Sequence, residues 1–169
     1  MIANVSIKRF GEDDWQGFKE IRLESVRLHN DVLGTSYAIE SNKKDAYWKD
    51  IISDICNCAV FGLYDEEKII GLTSVFRHRD HVENTTILCM VYIREEYRGN
   101  SLSDLLFKAS IDWSKSQEGI TRIWVGHRAG NEISRRANQR HGFAVISNED
   151  MTFGNGETDT HYTYELKIK

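Results

Sequence analysis

Between Tyr97 and Leu106 the chain reads YRGNSLSDLL. Arg98, Gly99, Asn100, Ser101, Leu102 and Ser103 follow an apolar run and lead into a leucine-rich helical pattern. Two chemistries suit that order. A helix N-terminus has free N–H groups and the positive end of the helix dipole, so it favours a phosphate. Gly99 lets the backbone approach a ligand closely. Arg98 can add a charge-assisted contact, and Ser101 and Ser103 can add hydroxyls. The same residues also fit a helix cap. Ser101 with Asp104 forms an S-x-x-D capping box, which would use the serine on its own helix. Asp104 would then oppose a bound anion. From these residues alone the two readings weigh equally.

A second group lies in NEISRRANQRH, residues 131–141. With Asn131 as origin and about 100° per residue, Ser134 falls at about −60°, Asn138 at about −20° and Arg135 at about +40°. Ile133, Ala137 and His141 make the neighbouring packing face. Such a polar face is most often only solvated. Paired with the first group, it can bind an anionic ligand that carries amides.

Several elements must hold these groups in place. Residues 4–10 alternate as a strand, and 11–31 read as a helix with Trp15, Phe18, Ile21, Ser25, Val26 and Leu28 on one side. Residues 41–55 read as a second helix with Ser41 as its cap. Two strands flank the charged turn at 65–68, and a third spans about 84–94. A helix from about 102 to 117 presents Leu102, Leu105, Leu106, Ala109 and Trp113 to a sheet. A short strand at 121–127, the helix at 131–141 stopped by Gly142, and strands at 143–153 and 161–169 complete the chain. The order β α α β β β α β α β β predicts an α/β (α+β) domain, with a right-handed parallel crossover between about 84 and 127.

The bulk properties bound the function. A length of 169 residues fits a single domain over 1–169. A net charge of −4 argues against a general nucleic-acid binder. No apolar run is long enough to span a membrane, and MIANVSIKRF lacks the apolar segment of a secretory signal. Three cysteines, an odd count, fit reduced thiols and a cytoplasmic setting. Cys56 and Cys58 have no second pair at ligand spacing, so no metal is expected.

Taken together, these motifs resemble the GNAT superfamily of N-acetyltransferases. Arg98 to Ser103 stand where that family has Q/R-x-x-G-x-G/A, with serines at the small positions. MVYIREEYRG looks like its L-x-V-x-P-x-Y-R-G strand, with Glu95 for the frequent proline. NEISRRANQRHGF carries Asn131, Ser134, Gly142 and Phe143 of N-x-x-A/S-x-x-x-Y-x-x-x-G-F, with Asn138 for the tyrosine. The resemblance implies a mostly antiparallel sheet of about seven strands flanked by four helices, and a splayed strand pair forming an acetyl-CoA slot. It implies a diphosphate on the N–H groups of Gly99, Asn100, Ser101, Leu102 and Ser103. It implies a pantetheine arm paired with Val91, Tyr92 and Ile93 and touched by Asn131, with Ser134 and Asn138 beside it.

The reaction implied is direct acetyl transfer to a primary amine of a small molecule or of a peptide or protein. A backbone N–H near Tyr92 would hold the developing oxyanion. Glu83, His81, Glu40 and His127 are the candidate proton acceptors. Asn138 can donate a hydrogen bond but not usefully a proton, which leaves a non-catalytic acetyl-CoA sensor as the alternative. The acceptor's entrance would be lined by residues 13–55 and by loops near 79–84 and 148–159. Exposed strand edges are compatible with a homodimer.

Overall fold

The structure, a computed structural model, describes residues 4–78 and 84–169. Among these residues seven strands form one sheet in the order β1-β2-β3-β4-β5-β7-β6. They are β1 Val5–Arg9, β2 Cys58–Asp65, β3 Lys68–Arg77, β4 Thr85–Ile93, β5 Arg122–Arg128, β6 Ala144–Thr152 and β7 Thr158–Lys167. Every neighbouring pair is antiparallel except β4 and β5, which are parallel and joined through α4, Ser103–Ser116.

Successive residues along β2 serve opposite cores. Val60 packs with Phe18 and Ile21 of α1 (Trp15–His29) and with Trp48 and Ile52 of α3 (Asp45–Ser53). Its neighbour Ala59 packs with Trp113 of α4. The sheet therefore lies between α1 and α3 on one face and α4 on the other. The contact with α4 is partly polar: Thr86 and Ser114 hydroxyls are 2.7 Å apart, and Thr73 and Ser110 3.3 Å. Its buried side thus includes Phe107, Ser110 and Ser114 beyond the expected apolar stripe.

Among the described residues five helices flank the sheet, not four. The segment expected as one helix over 41–55 is two: α2 Tyr37–Ser41 and α3. Ser41 ends α2 and caps nothing; Ser36 is the cap, its hydroxyl accepting from the Ile39 N–H at 3.3 Å. The chain leaves the helix because Lys44 takes an extended ψ of 157°. The segment expected as a helix over 11–31 opens with a 3-10 turn, Glu12–Asp14. Leu28 and Ile133 were both expected in packing faces, yet they are exposed. Each lies near a helix end. Among the described residues no helix is long and apolar enough to cross a membrane.

Two irregularities shape the centre of the sheet. β4 and β5 pair only through Thr85–Ile87 and Arg122–Trp124 and then part. On its other edge β4 bulges against β3 between the partners of Leu72 and Ser74, where Met90 has a φ of 58°. An extra residue bends the bulged strand. The outcome is a V-shaped gap, with Leu88 to Ile93 as one wall and Val125 to Arg128 as the other.

Candidate functional site

The loop from β4 into α4 lies beside this gap. Gly99 has a φ of 80° and Ser101 one of 57°. Glycine suits the first; the serine is strained by about 1–2 kcal/mol. A Cβ on Gly99 would meet nothing within 4 Å, so the space over the loop is open. None of the N–H groups from Gly99 to Ser103 donates to a described residue; the first N–H engaged is that of Asp104, on Ser101 O at 3.1 Å. Consecutive free N–H groups of this kind make an anion-binding concavity.

The capping box does not form. Leu102 occupies the cap position of α4, with no side-chain cap bond. Asp104 instead accepts from Arg140 at 2.8 Å and lies 3.1 Å from His141, and Arg140 also donates to the Ser103 hydroxyl at 2.9 Å. The Arg140 guanidinium holds the Asp104 carboxyl below its usual range, which offsets its charge at the loop. Asn100 braces the turn by donating to Tyr97 O and Arg98 O.

The Arg98 side chain works locally. Its Nε donates to Ile93 O at 2.8 Å, and its Nη2 lies 3.0 Å from His29 Nε2. A cleft of about 440 Å³ opens here between α1 and the end of β4, lined by Glu24, Leu28, His29, Tyr92, Arg94 and Arg98, with Glu95 and Glu96 at its edge. Glu24 accepts from the Tyr92 hydroxyl, from Arg94 Nε and from Arg94 Nη2, each at 2.8 Å. Burial and Glu24 push the Tyr92 phenol well up, so it stays protonated.

Arg94 foremost holds the Glu24 carboxyl below its ordinary 4.5. A depressed folded-state pKa gives stability that is present above the unfolded value and lost as pH falls through the folded one. Glu24→Gln should therefore cost about 1–2 kcal/mol at neutral pH. The gap between parent and variant in denaturation midpoint should close in acid.

On α5, Glu132–Arg140, Asn131 is the cap, its Oδ1 accepting from the Ser134 N–H at 3.2 Å. Asn138 is 2% exposed, and its Nδ2 is buried with no partner among the described residues. A buried unpaired donor costs about 1–3 kcal/mol.

The acetyltransferase (GNAT) family model matches residues 20–143. The chain belongs to that family. Its fold is shared by an acetyltransferase of the GNAT family from Streptococcus pneumoniae, at a TM-score of 0.85 and 16% identity over 98% of this chain and 100% of that one. It is shared by yncA, a putative acetyltransferase from Salmonella typhimurium solved with acetyl-CoA, at 0.79 and 19% over 99% and 95%. It is also shared by Arabidopsis thaliana NAA60, solved with a bisubstrate analogue, at 0.74 and 11% over 98% and 99%. At these identities the likeness establishes the fold. No curated protein matches in sequence.

Within this GNAT domain, the expected proton acceptors fare differently. Glu83 and His81 lie outside the described residues. Glu40 is buried in an ion pair with Arg22 at 3.2 Å, so its charge is already committed. His127 is on the gap wall, but Nδ1 is 2.8 Å from Arg128 O and Nε2 3.1 Å from the Tyr164 hydroxyl.

Sequence reasoning missed a seam on the α1 face. Gly154 N–H donates to Leu33 O at 2.8 Å, joining the loop after β6 to the loop after α1. Arg128, at the parted end of β5, donates to Asp31 O at 2.5 Å, Glu157 at 2.7 Å and Asp159 at 3.0 Å. The same side missed His161 on β7. Nothing near either residue in sequence marks these contacts, which come from strand register.

Proposed function

We propose that this chain transfers an acetyl group from acetyl-CoA directly to a primary amine. The observation that carries this reading is the run of free N–H groups, Gly99 to Ser103, at the end of a gap between two parted parallel strands. The run fits a diphosphate, and the edge of β4 at Val91, Tyr92 and Ile93, which β5 no longer covers, fits the pantetheine amides. Asn131, Ser134 and Asn138 face the same ligand from α5, and the orphan Nδ2 of Asn138 gains an acceptor.

When bound, acetyl-CoA supplies an activated acyl carbon. The chain's part is to orient it, to offer a backbone N–H near Tyr92 to the developing oxyanion, and to take a proton from the amine. Asn138 can donate a hydrogen bond towards the departing sulfur, but not a proton. Thiolates leave readily, their parent pKa being about 8.5. The acceptor is a small molecule or a peptide or protein amine.

Incubation with acetyl-CoA and a panel of amines, with free thiol followed, tests the reading. Amine-dependent thiol release is expected. Measured CoA binding without transfer to any amine would instead favour a non-catalytic sensor, the role that an asparagine in place of a proton donor allows.

A further inference from the structure

We propose that His161 is the group that accepts the amine's proton. The inference rests on the acetyl-transfer reading above. His161 sits on β7, in register with Arg128 of β5 on one side and Glu149 of β6 on the other. Its ring leans over β5: a Cβ built on Gly126 would lie 2.4 Å from both Cε1 and Nε2 of the imidazole. β5 separates β7 from the parted gap, so the missing side chain at Gly126 lets the ring reach towards the gap.

Alternation fixes the face. Ile123 and Val125 pack with Phe107 of α4, so Trp124, Gly126 and Arg128 point to the α1 side. That is the side of the Arg128 and Gly154 seam. Nε2 is the His161 ring nitrogen that leans over Gly126, while Nδ1 is buried behind it and bonds to no described residue. His127 and Glu40, by contrast, have their polar atoms engaged.

The chemistry suits an imidazole. A primary amine, of pKa about 10.4, is protonated at neutral pH and must lose a proton before it attacks. His161 is poised to take it because it is itself uncharged: burial foremost pushes its pKa below the ordinary 6.5, His127 adds to this, and Glu149 opposes it. The charge of Arg128, the other group in register, is taken up by Glu157 and Asp159. The amine passes one proton through water to Nε2 of His161. Its freed lone pair forms the C–N bond, and the C–S bond breaks with its electrons on sulfur. The second nitrogen proton ends on that sulfur, and His161 returns its own to solvent.

Two variants test this. His161→Gln keeps the size and polarity but cannot take a proton. Gly126→Ala keeps every titrating group but adds a methyl where the ring lies. Each should leave CoA affinity unchanged and lower the transfer rate by about 10²-fold, the scale of general-base loss. Each should also remove the acid limb of the parent's rate profile, and that limb should match the His161 titration followed by proton NMR in the free protein. A parent that transfers acetyl while His161→Gln keeps its rate and its acid limb overturns this assignment alone. A parent that binds CoA but acts on no amine overturns the reading beneath it and this assignment with it.

Discussion

Gly99→Val should lower CoA affinity by at least about a hundredfold, roughly 2.7 kcal/mol, while the sheet stays folded. Gly99 holds a φ of 80° that a β-branched residue enters only with strain. The loop would relieve that strain by rotating, and rotation turns the N–H groups of Asn100 and Ser101 away from a common point. Room is not the difficulty, because nothing in the protein lies within 4 Å of a Cβ at this position. The branched side chain would instead occupy the space a diphosphate needs. Titration calorimetry with CoA reads the loss. Thermal denaturation without ligand should show only a modest shift, since Gly99 is exposed and outside the core. With CoA added, the parent should gain melting temperature and the variant should not.

Gly154→Ala should be among the most damaging glycine substitutions for the fold. A Cβ there would sit 1.8 Å from Thr35 O and 2.9 Å from Asn30 O, both backbone atoms that cannot swing aside. Either the loop after β6 or the loop after α1 must retreat, and the bond from Gly154 N–H to Leu33 O is lost with it. Overpacking of this kind costs about 1–3 kcal/mol, to which the broken hydrogen bond adds about 1 kcal/mol. Urea denaturation should show the drop, and hydrogen exchange should place it at the Gly154 amide. Phe153 is 3% exposed and stacked under the Arg128 guanidinium at 4.8 Å, so the damage should reach the parted end of β5. If the amine enters on the seam's side, as proposed, its KM should change more than the KM for acetyl-CoA.

Much of this architecture is legible in the residues. All seven strands follow from alternation and charged or glycine-bearing turns. α4 and α5 follow from their periodicity and from Gly142, which takes a φ of 86° just past the end of α5. α2 was missed because five residues carry no stripe of their own. Leu28 and Ile133 were misplaced because periodicity gives a direction around a helix, not whether the helix end still overlies the sheet. The parting of β4 and β5 came from family resemblance; no local pattern states where a parallel pair stops. Asn138 read as part of a polar surface, but α5 turns it inward to 2% exposure. Arg98 read as a phosphate ligand, yet its side chain braces Ile93 and His29, so the loop itself is left to carry the anion. Gly126 and His161 are far apart in sequence and meet only through the pairing of β5 with β7.

On the proposed reading, free backbone donors ahead of α4 grip the diphosphate of CoA. The most direct measurement is the change in amide 1H–15N NMR shifts on adding CoA, compared with adding pantetheine alone. The largest changes with CoA should fall on Gly99, Asn100, Ser101, Leu102 and Ser103, and pantetheine should leave these amides nearly still. If they do not respond to CoA, or if the changes gather instead around Lys108, Asp112 and Arg140 between α4 and α5, the claim is contradicted.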